Sequence, residues 1–264
     1  MRHNVPVPST YLDAILHHHR ERATADRRSF DRVIEQVGDL DATRGFRAAL
    51  ANSQRLGVIA EIKRRSPSKG DLNADLDAAQ MARTYESGGA SCLSVLVDEP
   101  HFGGSVDDLQ TARANCSLPV IRKDFTVSEL DVVDTRLMGA DCVLLIAAAL
   151  DRHQLIAFHD IAREIGLDAL VEIHDEAELE MALEAESTLI GVNQRDLVTF
   201  EVDHDRAVRM ARLIPDHAGK VAESGVRGGD DARALETAGY HAVLVGETLV
   251  TSGDPAQSIA ELIG

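Results

Sequence analysis

The chain reads as an α/β protein, a (β/α)8 TIM barrel with an N-terminal helical extension. Three observations lead there. Short apolar runs rich in Val, Ile and Leu recur eight times from residue 57 onward. They do not alternate polar with apolar residues, as befits parallel strands covered by helices. Helical patterns lie between them, and several open with Asp and close with Gly. The runs start roughly 20 to 34 residues apart, the length of a strand-helix unit. The main rival is a doubly wound sheet, which usually carries a glycine-rich phosphate fingerprint after its first strand. Here RRSPSKG follows that strand, with no GxGxxG.

Residues 1–50 precede the barrel as a helical extension that covers one end or one flank of its mouth. Two helical stretches are expected, 8–28 and 29–52. The first contains His17, His18 and His19. Consecutive helical residues point about 100° apart, so this run cannot converge on one ion, and a solvated helix face is expected. Residues 51–264 form the barrel, and the whole is one domain. Its strands are expected in 57-GVIAEIK, 91-SCLSVL, 119-PVIRKDF, 141-DCVLLIAAAL, 168-DALVEIH, 188-TLIGVNQRD, 220-KVAESGV and 241-HAVLVGETL. Helices are expected within 75–90, 151–166, 175–186 and 230–239, among others.

Composition narrows the function. The 264 residues are 44% hydrophobic and 27% charged, which supports a sizeable core. A net charge of −17 argues against nucleic acid or an anionic membrane as a partner, yet a local basic cluster still suits an anionic small molecule. Lysine is scarce: Lys63, Lys69, Lys123 and Lys220 stand against 23 arginines. A lysine kept against such a bias suits a task arginine cannot do, such as giving up a proton. Three cysteines without CxxC spacing indicate neither a disulfide framework nor a zinc site. No signal peptide and no apolar run of membrane-spanning length is evident, so a cytoplasmic location is expected.

The strands end on polar residues. In a barrel the C-terminal strand ends form the active-site mouth. Glu61 and Lys63 end the first strand, Lys123 the third, Glu172 the fifth and Asn193 the sixth. Glu223 and Ser224 end the seventh, and Gly246 the eighth. One such residue fits a rim ion pair; the set favours an active site built for proton transfer. Glycines follow the last two strands, in 225-GVRGGDD and around Gly246, where barrels often seat a phosphate. No HExxH, no histidine pair closely spaced with a carboxylate and no nucleotide fingerprint appears, so neither a metal nor a cofactor is expected.

These motifs resemble the indole-3-glycerol phosphate synthase family, from about residue 8 to the end. The most specific is 60-AEIKRRSPSKG-70, supported by 121-IRKDF-125, 171-VEIH-174, 191-GVNQRDL-197, 223-ESG-225 and 244-LVGETL-249 in the family's order. The resemblance implies a phosphorylated substrate, 1-(2-carboxyphenylamino)-1-deoxyribulose 5-phosphate. It implies ring closure with loss of carbon dioxide and then water, without a cofactor. Lys123 is then the general acid at the ketone oxygen, a role its neighbour Arg122 on the opposite face does not share. Glu61 and Lys63 serve the dehydration, with Glu172 a further acid-base or electrostatic residue. Asn193 and Glu223 orient the substrate's polar groups. Ser66 holds the anthranilate-derived part. Phe102 and Phe125 are walls for its ring or ordinary core residues, and the sequence leaves both open. Ser224, Gly225, Gly246 and Glu247 correspond to the phosphate loops, and Arg195 adds positive charge. Many relatives carry serine where Glu247 stands, so Glu247 is expected to offer only its backbone N–H. Lys69 either closes over the ligand or is a solvated loop lysine, and the second is the expected reading.

Three rivals remain on sequence alone. Phosphoribosylanthranilate isomerase usually pairs a cysteine with an aspartate, where this chain has Glu61 and Lys63. A Schiff-base aldolase would use Lys123 or Lys63 as nucleophile. A noncatalytic barrel would leave the strand-end charges as spectators. Monomer and homodimer are both compatible with the sequence.

Overall fold

The computed structural model describes residues 10–67, 69–196 and 198–264. Residues 8 and 9 of the first expected helix lie outside them. Eight parallel strands close into a barrel: β1 (Gly57–Ile62), β2 (Cys92–Leu96), β3 (Val120–Lys123), β4 (Cys142–Ile146), β5 (Asp168–Ile173), β6 (Leu189–Asn193), β7 (Gly219–Glu223) and β8 (Ala242–Val245). Each pairs with its sequence neighbours, and β8 returns to β1 with Gly57 opposite Ala242. Seven of the eight apolar runs read from the sequence contain one of these strands whole, and β7 starts one residue before the run at Lys220. They are short and Val-, Ile- and Leu-rich because both faces are buried.

Alternation along each strand divides the apolar residues into two groups. Val58, Ala60, Leu93, Val95, Val143 and Leu145 face outward, into a core shared with the surrounding helices. Ile59, Cys92, Ile121, Cys142, Leu144, Leu170, Leu189, Val221, Ala242 and Leu244 fill the barrel interior. Around the barrel run α4 (Ala78–Ser87), α5 (Glu99–Phe102), α6 (Val106–Ala114), α7 (Glu129–Leu137), α8 (Arg152–Glu164), α9 (Glu176–Glu184), α10 (His204–Ala211), α11 (Gly229–Ala238), α12 (Glu247–Val250) and α13 (Pro255–Ile263). The Asp signals act as caps: Asp77, Asp151 and Asp175 each accept a backbone N–H in the first turn of α4, α8 and α9.

The extension comprises α1 (Tyr11–Ala25), α2 (Phe30–Glu35) and α3 (Phe46–Ala51). The expected stretch 29–52 is interrupted: a 3₁₀ turn spans Gln36–Asp39, and Gly45 caps α3 at φ +72°, a conformation that favours glycine. The extension reaches both ends of the barrel. Phe46 and Leu50 of α3 join the interior cluster at the strand starts, where Cys92 donates to the Phe46 carbonyl. Phe46 is fully buried, and truncating such a residue costs roughly 3–5 kcal/mol. At the opposite end, Leu16 of α1 joins the cluster that includes Ile146 and Val127, and Arg20 donates to the Ala149 carbonyl at 2.8 Å. Among the described residues no helix is long and apolar enough to cross a membrane.

Candidate active site

The inward register of β1, β3, β5 and β7 carries an ionisable residue to the end of each of these strands. Beyond Ile59, Ile121, Leu170 and Val221 on the inner face come Glu61, Lys123, Glu172 and Glu223, two residues on in each case. Side chains from alternate strands share a layer in such barrels, and here the uppermost layer is charged instead of aliphatic. Asn193 ends β6 on the same face. Arg122, one residue from Lys123, points outward; it is buried against Asp124 at 2.5 Å and the Asp131 carbonyl at 2.9 Å.

The polar groups form two adjoining sets. Lys123 Nζ donates to Glu172 Oε2 and Glu223 Oε2, both at 3.0 Å. Asn193 Nδ2 donates to the other Glu172 oxygen at 2.9 Å. Lys63 Nζ donates to Glu61 Oε1 at 2.6 Å, and Ser94 reaches Glu61 Oε2 at 3.4 Å. Glycine makes room for both sets. A Cβ on Gly191 would lie 2.1 Å from Glu223 Oε1, and one on Gly246 would lie 2.4 Å from Glu61 Oε1.

The two carboxylates beside Lys123 have different electrostatic fates. Burial pushes the Glu172 carboxyl up, but Lys123, His174 and the Asn193 amide pull it down to about 2. Burial also raises Glu223; Lys123 opposes this, yet with Glu172 close by and one oxygen buried without a hydrogen-bond partner, Glu223 is pushed up to about 7. Lys123 loses by burial and gains more from Glu172, Glu223 and Glu61, so its ammonium is held above the ordinary lysine range. The site thus combines a firm carboxylate, a carboxyl that titrates near neutrality and a charged lysine.

These groups face one cavity of about 460 Å³, a size usual for small-molecule sites. Every residue expected from the sequence to bind or transform substrate lines it. Phe102 and Phe125 form part of one wall, with ring centroids 6.3 Å apart. Ser66 presents a buried hydroxyl with no hydrogen-bond partner. At the other side are Ser224 and Gly225, at φ +66° and +76°, with Gly246 and Glu247 at the start of α12. Arg195 donates to the Phe200 carbonyl at 3.0 Å while lining the cavity. Lys69 is exposed and also lines the cavity, with its Nζ 3.7 Å from Glu247 Oε1. Of the four lysines only Lys220 is remote; it is buried and donates to the Ala211 carbonyl.

The histidine run departs from expectation. His17 stays on the solvated face of α1, but His19 is 2% exposed and hydrogen-bonds Asp98 Oδ2 at 2.8 Å. Helical spacing separates the three histidines from one another, and this one meets the barrel instead of solvent. His19, Asp98 and His101 lie within 4.8 Å through their ligand atoms, so a histidine pair does meet a carboxylate, through the fold and not through local spacing. Burial raises the Asp98 carboxyl, and hydrogen bonds from His19 and His101 outweigh it and hold it well below the usual range. Tyr11, Leu12 and Ile15 of α1 also line the cavity, as do Phe200 and His204. No strand-end pattern marks these residues; the amphipathic face of α1 was the only sequence signal for its three.

Comparison with known proteins gives a consistent answer. The family model described as indole-3-glycerol phosphate synthase matches residues 12–262. The chain is 49% identical over 233 residues to indole-3-glycerol phosphate synthase 2 of Streptomyces coelicolor, covering 88% of this chain and 90% of that one. It is 46% identical over 257 residues to the indole-3-glycerol phosphate synthase of Mycolicibacterium vanbaalenii, covering 97% and 94%. Among solved structures, 3-hexulose-6-phosphate synthase from Salmonella typhimurium superimposes with a TM-score of 0.61 at 15% identity, over 78% of this chain and 96% of that one. At that identity the likeness concerns the barrel fold alone.

Proposed function

Because the chain belongs to the indole-3-glycerol phosphate synthase family, we propose how its side chains divide the family's reaction. As a decarboxylating lyase of tryptophan biosynthesis, it converts 1-(2-carboxyphenylamino)-1-deoxyribulose 5-phosphate to indole-3-glycerol phosphate. In the first step the ring carbon bearing the carboxylate bonds to the ketone carbon, and the ketone oxygen takes up a proton. The carboxylate then leaves as carbon dioxide, its bonding electrons restoring the aromatic ring. Finally the hydroxyl leaves as water while the neighbouring carbon loses a proton, completing the pyrrole ring.

Lys123 gives the first proton. A cation there also opposes the charge that develops on the ketone oxygen. Glu172 keeps Lys123 charged and aimed, with Asn193 fixing its second oxygen. Glu223, held near neutrality, returns a proton to the amine once Lys123 has given its own. Glu61 and Lys63 carry out the dehydration as base and acid, and their 2.6 Å contact lets them exchange the proton afterwards. Ser66, Phe102 and Phe125 hold the anthranilate-derived ring. The phosphate sits by Ser224, Gly225, Gly246 and the backbone of Glu247, with Arg195 adding positive charge. The phosphate end is the reason for the small residues after β7 and β8.

The observation that carries this reading is the approach of Lys123 to two carboxylates of opposite protonation tendency, beside a separate Glu61–Lys63 pair, in one cavity. Incubation with the substrate tests it: indole absorbance and fluorescence should appear, and borohydride with a ketose phosphate should leave both lysines unmodified. A borohydride-trapped adduct on Lys123 or Lys63 would instead mark a Schiff-base enzyme.

A further inference from the structure

We propose that His19 is a positioning residue for the aromatic wall of the substrate pocket, acting from the N-terminal helix through Asp98; this rests on reading Phe102 and Phe125 as that wall. Asp98 follows β2 and is 3% exposed. Its Oδ1 accepts the backbone N–H groups of His101 at 2.7 Å and Phe102 at 3.3 Å, so it is the cap of α5. Its Oδ2 accepts from His19 at 2.8 Å and from the His101 ring at 3.0 Å. A four-residue helix has no stability of its own. The orientation of α5, and with it Phe102, therefore depends on its cap, which His19 holds from outside the helix together with the His101 ring from within it.

The same imidazole touches the second wall directly: the His19 and Phe125 ring centroids are 5.4 Å apart. Arg65 extends the link to the loop carrying Ser66, donating to the carbonyls of His101 at 3.1 Å and Pro100 at 2.5 Å. One buried residue of the extension thus connects the three groups assigned to the anthranilate-derived ring. Both Asp98 oxygens already accept hydrogen bonds, so a metal ion among His19, Asp98 and His101 would have to displace two of them and is not part of the proposal.

The test compares wild type with His19→Ala, His19→Gln, Phe102→Ala and the double variant, each checked by circular dichroism. His19→Ala should raise KM about tenfold with kcat nearly unchanged. His19→Gln places an amide N–H where Nε2 stands and should recover most of the loss. Ribulose 5-phosphate, which lacks the aromatic ring, should inhibit His19→Ala and wild type equally. In the Phe102→Ala background, His19→Ala should add little, because the two changes remove one function. An unchanged KM in His19→Ala, equal weakening of ribulose 5-phosphate, or full additivity would overturn the proposal. So would a wild-type KM that rises on EDTA treatment to the His19→Ala value, since that would make the link a metal site. If Phe102→Ala itself leaves KM unchanged, the wall reading fails; if it raises KM and His19→Ala does not, only the role of His19 fails.

Discussion

Replacing Lys123 by Met keeps an unbranched chain out to Cε and removes the charge on which the proposed first proton transfer and the local electrostatics depend. In the folded protein the ammonium lies 3.0 Å from each of two buried carboxylates. It is first among the groups that bring Glu172 from 4.5 down to about 2 against its burial. At about 1.36 kcal/mol per pH unit, that displacement amounts to roughly 3 kcal/mol, shared with His174 and Asn193. It matches the 3–5 kcal/mol typical of removing one partner from a buried ion pair. The sign follows from the direction. A carboxyl held low stabilises the fold above its unfolded value and loses that contribution as pH falls through the folded one. Beside Lys123 the Glu172 carboxylate stays ionised to about pH 2, so the deficit of Lys123→Met in urea unfolding should be full at pH 7 and at pH 5 and should shrink only as pH falls from about 4.5 towards 2. Turnover, followed by indole absorbance, should fall by at least about 10² to 10⁴-fold for loss of the acid, with the circular dichroism spectrum retained. A folded variant within tenfold of wild-type kcat/KM, or a deficit that stays the same from pH 5 down to pH 3, would refute this reasoning.

Three further outcomes are expected. Glu223 is pushed up to about 7, mainly by burial; a carboxyl raised this way favours the fold below about pH 4.5 and costs stability as pH rises through 7. Glu223→Gln should therefore melt above wild type at pH 8.5 and level with it at pH 5, and a melting difference independent of pH would contradict the assignment. Gly246→Ala suits the local backbone at φ −119° but drives a methyl toward Glu61 and Lys63. Its kcat should drop on the order of tenfold or more, and an unchanged kcat would remove that pair from the dehydration. Glu247→Ser takes a half-exposed carboxylate from the phosphate end, so KM should fall severalfold at low salt and less at high salt; a KM indifferent to the change would show that the carboxylate does not face the phosphate.

The barrel was legible because parallel strands buried on both faces must be apolar, and eight such runs are hard to place otherwise. The candidate site was legible for the same reason: Glu61, Lys123, Glu172 and Glu223 break runs that should not be broken, and all four line the cavity. Their partners were less so. Glu61 and Lys63 are two residues apart and were readable as a pair. Lys123 and Glu223 are 100 residues apart, and only the closed topology brings them together. His19 was misread because a run of three histidines looks like a polar helix face. Helix orientation separates them, and the fold buries the third against an aspartate 79 residues away. The break in 29–52 went unseen because propensity alone does not show which glycine takes a positive φ.

The proposed mechanism requires that Lys123, not Lys63, meet the ketone oxygen. The most direct test is a crystal structure with the reduced substrate, in which a hydroxyl replaces the ketone and ring closure cannot occur. That hydroxyl should lie within about 3 Å of Lys123 Nζ, with the phosphate between the loops after β7 and β8. The same hydroxyl held by Lys63, with Lys123 out of reach, would contradict it.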